Sequence, residues 1–193
     1  KEFYGRRFTV SPSVLIPRPE SEDLISLFLE LTASEIAEKV LIDVGTGSGC
    51  LGITAKLERS NLSVILSDIS KPALNIAEKN ANALNADVHI QQQSLLNGQL
   101  KPVDYIFANL PYVDKNWDVS PELQYEPKIA LFAEDEGLKL ILQLISQAPR
   151  CLTSEGLLFI EADPQQHNRI IDEAVKNGFV KERVLNYILV LRF

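Results

Sequence analysis

The sequence predicts an α/β fold: a doubly wound, largely parallel sheet of seven strands with helices on both faces. Two observations carry this prediction. Apolar, strand-like segments alternate with segments of helical periodicity along most of the chain, as in parallel α/β proteins. The last two strand-like segments, within residues 179–193, have no helix between them, so one strand near the C-terminus must run antiparallel. With 193 residues, 46% of them hydrophobic, the chain can build the core of one domain.

The elements follow from apolar periodicity and from their end signals. Helix ends are indicated by Ser70 as an N-cap, by Pro72 in a first turn and by Gly178 after a last turn. Residues 109–136 lack periodicity, and loops this long tend to be functional. The predicted strands are residues 40–44, 64–68, 88–92, 103–108 and 156–162, with two more within 179–193. The predicted helices are residues 21–31, 50–58, 71–84, 138–151 and 164–177.

Composition excludes several functional classes. The formal net charge is −7, which argues against a direct nucleic-acid partner because such surfaces are basic. The two His and two Cys residues are too far apart for zinc-ligand spacing, so no metal is expected. No apolar run approaches 18 residues, so no membrane span is expected. Two isolated cysteines fit an intracellular setting, in the cytoplasm or an organellar matrix.

A glycine-rich turn follows the first predicted strand of the parallel sheet. Glycine allows a sharp turn and a close approach by a ligand, and the next helix points free N–H groups at the turn. The third glycine comes one residue too early for the dinucleotide fingerprint, and no Lys follows as in a phosphate-binding loop. The alternative is a turn in which the glycines serve only the backbone. The residues of the motif are Asp43, Gly45, Thr46, Gly47, Ser48 and Gly49.

This pattern resembles the first motif of class I S-adenosylmethionine (SAM) methyltransferases, which have a Rossmann-like fold. The resemblance implies SAM as the cofactor, bound by the residues of the glycine motif. Asp68 ends the next predicted strand about 20 residues further on, where an acidic side chain typically binds ribose hydroxyls. A helix-capping role is the alternative for Asp68, but Ser70 is better placed to cap.

The sequence Asn109-Leu110-Pro111-Tyr112 directly follows a predicted strand, at the sheet edge where ligands bind. The Asn109 side chain offers an acceptor and a donor. Leu110 precedes proline and is therefore held extended, which presents its carbonyl. Tyr112 supplies a flat aromatic face. Together these groups suit a planar substrate group that bears NH₂, so Asn109 and Tyr112 are candidate catalytic residues and all four are candidate substrate-binding residues.

Several blocks resemble the release-factor glutamine methyltransferase family. The Asn-Leu-Pro-Tyr motif resembles the (Asn/Asp)-Pro-Pro-Tyr motif of amino methyltransferases. The segment from Phe3 to Glu22 resembles the linker signature of the family, and three further blocks match at residues 125–131, 135–138 and, loosely, 161–165. The resemblance implies methyl transfer from SAM to the side-chain amide nitrogen (N5) of a glutamine. It also implies a class I peptide chain release factor with a Gly-Gly-Gln loop as protein substrate, with Arg18 and Glu20 among the residues that bind it.

Two residues depart from the family pattern. Leu110 replaces the first proline of the motif, and Ser94 replaces the acidic residue usual after the third strand. Leu95 follows at the position that flanks the adenine. The resemblance places Ser94, Leu95 and Asn109 among the cofactor contacts. Residues 1–19 are expected to be an extended linker or hairpin that leads from an absent N-terminal helical domain, and residues 20–193 the catalytic domain.

Two other functions are compatible with the same motifs. N6-adenine methyltransferases use the same four-residue motif on a base flipped out of its stack. A degenerate domain that binds SAM or supports a partner is the second alternative, and Leu110 and Ser94 favour it.

Overall fold

The computed structural model describes residues 1–99, 101–114, 117 and 132–193. It confirms the predicted α/β fold with a seven-stranded sheet. Strands and helices are numbered in chain order. The strands are β1 (Glu2–Phe3), β2 (Arg6–Arg7), β3 (Lys39–Val44), β4 (Leu62–Asp68), β5 (His89–Gln92), β6 (Val103–Ala108), β7 (Val113–Asp114), β8 (Phe132–Ala133), β9 (Leu152–Glu161), β10 (Val180–Leu185) and β11 (Ile188–Arg192). The helices are α1 (Glu22–Leu31), α2 (Cys50–Glu58), α3 (Lys71–Ala83), α4 (Lys139–Gln147) and α5 (His167–Lys176).

The large sheet has the spatial order β10-β11-β9-β6-β3-β4-β5. β11 is antiparallel to both of its neighbours, β9 and β10, whereas the other pairings are parallel. The prediction of one antiparallel strand near the C-terminus is therefore confirmed. The parallel strands bring their carboxyl ends to one edge of the sheet, where the glycine turn and the Asn-Leu-Pro-Tyr motif both lie.

Each face of the sheet carries its own apolar layer, because side chains alternate along a strand. In β6, Ile106 packs into the layer formed with α4 and α5, whereas Phe107 packs into the layer formed with α1 and α2. In the second layer Phe28 lies edge-on against Phe107 and Phe159, with ring centroids 5.1 and 5.8 Å apart. These buried rings fix α1, and with it the polar residues that precede α1, against the sheet.

Residues 1–19 pack onto this domain. Tyr4 and Gly5 make a tight turn with φ of 47° and 71° that joins β1 to β2, and Phe8 is buried. The Asn80 side chain accepts a hydrogen bond from the Thr9 amide at 2.8 Å and donates one to the Thr9 carbonyl at 3.0 Å. These contacts hold the N-terminal segment against the rest of the domain.

Element boundaries differ from prediction at a few places with a clear cause. α4 ends at Gln147 rather than residue 151, because Pro149 has no N–H to donate and residues Ala148–Arg150 form a 3₁₀ turn. β7 and β8 pair in parallel inside the stretch predicted to be irregular. Strands of two residues are too short to show periodicity in a sequence. The family-like block at residues 125–131 lies outside the described residues.

Candidate active site

An open cavity of about 270 Å³ lies at the carboxyl edge of β3, β4, β5 and β6. Segments distant in sequence form its wall. They are residues 13–15, the glycine turn, the start of α3, the loop after β5 and the loop after β6, together with Leu140. None of the described residues that line it is basic. The predicted site residues on its wall are Gly45, Gly47, Asp68, Ser94, Leu95, Asn109, Leu110 and Pro111.

The glycine turn is held against the sheet by its own backbone. The amides of Gly45 and Thr46 donate to the Ser67 carbonyl at 2.9 and 3.0 Å. Gly45 has φ of +71°, and a Cβ there would come within 2.8 Å of the Leu110 side chain. This position therefore requires glycine both for its backbone conformation and for the close approach of the loop after β6.

Asp43 lies behind the turn rather than on the cavity wall. It is 1% exposed, and its Oδ2 accepts from the Thr46 hydroxyl at 2.6 Å and from the Gly52 amide at 3.0 Å. Burial raises the pKa of this carboxyl from 3.8 to about 6, against the opposing effect of those two hydrogen bonds. Asp43 thus braces the turn from inside. Thr46, Ser48 and Gly49 are also buried and do not line the cavity.

Asp68 lies at the cavity wall, half-buried, at the end of β4. Its Oδ2 accepts from the Gly47 amide at 3.0 Å and its Oδ1 from the Ser70 amide at 2.8 Å. A carboxylate has about four lone-pair positions, so these two contacts leave it able to accept further hydrogen bonds. The Ser70 hydroxyl caps α3 by accepting from the Ala73 amide at 3.3 Å, as predicted.

The loop after β5 forms the opposite side of the cavity. Ser94 is exposed, and Leu95 is 7% exposed with φ of +50°. Gln93, which the sequence analysis did not single out, also lines the cavity, and its backbone N–H donates to the backbone carbonyl of Asp68 at 3.1 Å. This side therefore combines an apolar surface with neutral polar groups.

The Asn-Leu-Pro-Tyr motif faces the cavity with its first three residues. The Asn109 Nδ2 donates to the Ser21 hydroxyl at 3.1 Å. Tyr112 does not line the cavity; its hydroxyl donates to Glu161 Oε1 at 3.3 Å, and its carbonyl accepts from the Gln166 side chain at 2.8 Å. Burial, together with the Glu161 carboxylate, raises the pKa of the Tyr112 hydroxyl well above its ordinary value.

Arg18 precedes the short 3₁₀ turn Pro19–Ser21 that leads into α1, and Glu20 lies within this turn. Neither lines the cavity, and Glu20 is exposed. The next residue, Ser21, is 2% exposed and contacts Asn109. The segment is therefore adjacent to the motif and contacts it through the buried Ser21.

Three polar residues at the motif were missed as site residues by sequence reasoning: Ser21, Glu161 and Gln166. Glu161 is the last residue of β9, which runs parallel to β6 with Ala108 opposite Ile160. Its position at the end of a parallel strand is the sequence signal that could have found it.

Among the described residues no cluster of His, Cys, Asp or Glu could hold a metal ion. In the same part of the chain no helix has the length and apolar character needed to cross a bilayer.

The sheet order, the glycine turn and the cavity together define a methyltransferase domain of the class I, Rossmann-like type. The profile of the methyltransferase small domain (MTS) matches residues 22–125. Solved structures agree on the fold. The ribosomal protein L11 methylase from Lactobacillus delbrueckii subsp. bulgaricus has a TM-score of 0.67 at 26% identity over 95% of this chain and 82% of its own. The hMettl16 catalytic domain has a TM-score of 0.72 at 15% identity over 98% and 76%.

Sequence relatives define the family more narrowly. The release factor glutamine methyltransferase of Neisseria gonorrhoeae is 39% identical over 96% of this chain and 68% of its own length. The protein of the same name from Enterococcus faecalis is 39% identical over 86% and 60%, and that from Leptospira interrogans is 37% identical over 95% and 67%. The chain belongs to the release factor glutamine methyltransferase family and spans about two thirds of the length of these relatives.

Proposed function

We propose that this chain transfers a methyl group from SAM to the side-chain amide nitrogen of a glutamine in a protein. The observation that carries the proposal is one shared cavity. Asn109, Leu110 and Pro111 of the motif line the same space as Gly47 and Asp68. A cofactor held by the glycine turn and Asp68 and an amide held by the motif would therefore meet.

The cavity suits SAM better than a nucleotide. SAM carries no phosphate, and none of the described lining residues is a Lys or Arg that would bind one. A Cβ at Gly47 would enter open space, since its nearest neighbour would be 4.0 Å away, so this backbone can approach a ligand closely. Asp68 offers its remaining acceptor positions to ribose hydroxyls, and Leu95 and Leu110 offer apolar surface.

The proposed reaction depends mainly on orienting the amide nitrogen of the substrate toward the methyl group. When bound, SAM supplies a methyl group already activated on a sulfonium sulfur. Asn109 Oδ1 and the Leu110 carbonyl would accept the two hydrogens of the amide NH₂ and hold its nitrogen in line. The N–C bond would form as the S–C bond breaks, and the extra proton on nitrogen would then leave to solvent. Such orientation contributes up to about 7–11 kcal/mol in ideal cases.

We propose a class I peptide chain release factor, with its Gly-Gly-Gln loop, as the protein substrate. The names of the relatives support this substrate. The net charge of −7 weighs against an N6-adenine substrate in nucleic acid. In this proposal residues 20–193 are the catalytic domain, and residues 1–19 contribute to the cavity through Ser13–Leu15.

The direct test is mass spectrometry of a class I release factor after incubation with this protein and SAM. One added methyl group on the glutamine of the Gly-Gly-Gln loop is expected. Asn109→Ala removes a preorganised polar group, so kcat should fall roughly 10²-fold or more, with a smaller change in SAM affinity. Asn97→Ala, at an exposed position, is the matched control. Methylation of adenine oligonucleotides alone would favour the nucleic-acid reading, and SAM binding without transfer to either would favour the degenerate domain.

A further inference from the structure

Glu161 is a buried carboxylate next to the Asn-Leu-Pro-Tyr motif. It is 2% exposed and ends β9, next to the end of β6, from which Asn109 continues. Its Oε1 accepts the Tyr112 hydroxyl at 3.3 Å, and its Oε2 has no hydrogen-bond partner among the described residues. A buried carboxylate is costly unless donors surround it, so this position calls for an explanation.

The donors around Glu161 belong to the site itself. The side chains of Ser21, Tyr112 and Asn109 lie around the Glu161 carboxyl and favour its charged form, and Tyr112 donates to it directly. The Ser21 hydroxyl also accepts from Asn109 Nδ2, which leaves its own hydrogen to point toward the carboxylate.

The chemical consequence concerns the orientation of the Asn109 amide. An asparagine side chain has a donor end and an acceptor end, and neighbouring groups decide which way it turns. An ionised carboxylate can only accept, so it attracts Nδ2 and repels Oδ1. With Nδ2 turned toward Ser21 and Glu161, Oδ1 is turned toward the cavity, where the proposed reaction needs an acceptor.

We propose that Glu161 is a positioning residue that fixes the Asn109 side chain with Oδ1 toward the substrate and anchors the Tyr112 hydroxyl. The proposal rests on the proposed function, because it assigns Oδ1 to the amide of the substrate. A neutral group at position 161 can donate to Oδ1 and therefore permits the reversed orientation. The ionised form of Glu161 is thus the active one.

The groups that face Glu161 determine how it titrates. They are the hydroxyls of Ser21 and Tyr112, the Asn109 amide, the Glu20 carboxylate and the Cys50 thiol. Burial raises the pKa of Glu161, and Glu20 adds to this, while the three hydrogen-bonding side chains oppose it. Activity that needs the ionised form is present above this raised pKa and is lost as pH falls through it.

Glu161→Gln keeps the shape of the side chain and removes its charge. We expect kcat toward the release factor to fall roughly 10–100-fold, since small misplacements of a reacting group have effects of this size. SAM affinity should stay within about twofold, and the acidic limb of the kcat profile should disappear. Glu155→Gln, on the same strand but exposed, is the matched control and should leave all three unchanged.

A readout independent of turnover separates this proposal from the proposed function. The side-chain ¹⁵NH₂ signal of Asn109 can be assigned by its loss in Asn109→Ala. This signal should shift in Glu161→Gln. In the wild-type protein, where position 161 is unchanged, the same signal should titrate together with Glu161. If the wild type transfers no methyl group but this signal behaves as expected, the proposed function fails, while the orientation of Asn109 by Glu161 stands. An unchanged signal across the pH titration, or full kcat with an intact acidic limb in Glu161→Gln, would overturn the positioning role.

Discussion

The side-chain Nε2 of Gln166 donates to the backbone carbonyl of Tyr112 at 2.8 Å and to that of Glu136 at 2.9 Å. Its Oε1 accepts from the Asp163 amide at 3.2 Å. This buried side chain therefore joins the end of the Asn-Leu-Pro-Tyr motif to the loop before α4 and to the turn after β9. Gly137, with φ of +84°, lies so close to the Tyr112 carbonyl that any Cβ there would collide with it.

Replacement of Gln166 by alanine should loosen the motif. Two part-buried hydrogen bonds, to the Tyr112 and Glu136 carbonyls, are lost, so the free energy of unfolding should fall by about 1–3 kcal/mol. Because Tyr112 is held less firmly, kcat should fall more than SAM affinity does. Urea denaturation and steady-state kinetics measure the two effects, and Gln165→Ala, at the exposed neighbouring position, is the control. If Gln166→Ala and Gln165→Ala have the same free energy of unfolding and the same kcat, the Gln166 contacts do not hold the motif.

Asp68 should contribute strongly to SAM binding. Asp68→Ala removes the acceptors proposed for the ribose hydroxyls and also the contact to the Gly47 amide. Affinity measured by calorimetry should weaken by about 1–3 kcal/mol, the usual contribution of hydrogen bonds to a charged group. Asp68→Asn keeps one oxygen for the backbone and should weaken binding less. Asp87→Ala, at an exposed position, should have no effect, and unchanged affinity in Asp68→Ala would remove the ribose assignment.

The buried carboxyl of Asp43 should make stability depend on pH. Its pKa is raised from 3.8 to about 6 in the folded state. The contribution of the protonated carboxyl to the free energy of unfolding is therefore complete below about pH 4 and is lost as pH rises through 6. Asp43→Asn cannot ionise. The free energy of unfolding of Asp43→Asn minus that of wild type should therefore rise by roughly 3 kcal/mol between pH 3.5 and 7. Urea denaturation at several pH values measures this difference, and a pH-independent difference would contradict the raised pKa.

Sequence reasoning located the strand ends, and with them the edge of the sheet that carries the site. It could not tell which way a side chain turns at that edge. Asp43 belongs to the glycine motif by sequence, yet it points inward, because the Thr46 hydroxyl and the Gly52 amide supply donors there. Ser21 and Glu161 are separated by most of the chain, so no spacing relates them to Asn109. Only the packing of α1 and the pairing of β6 with β9 bring them together.

Leu110 allows the loop geometry to be tested at the position where the motif departs from the family pattern. Its side chain is 4% exposed and packs over Gly45, so it fills space as well as presenting its carbonyl. Leu110→Pro keeps the carbonyl and restricts the backbone, which favours the loop by about 0.4–1 kcal/mol where the conformation is compatible. It also removes part of a buried apolar side chain. Leu110→Ala removes more of that side chain and adds no restraint, so it is the matched comparison.

We expect Leu110→Pro to retain kcat within a few-fold of wild type and to exceed Leu110→Ala in both kcat and free energy of unfolding. The reason is that both variants lose packing over Gly45 while only the proline variant gains rigidity beside Pro111. Single-turnover methyl transfer and urea denaturation measure the two quantities. Abolished turnover in a folded Leu110→Pro, with activity kept in Leu110→Ala, would mean that residue 110 cannot adopt the backbone conformation that proline requires. The Leu110 carbonyl would then not be presented as the glutamine-methylation proposal needs.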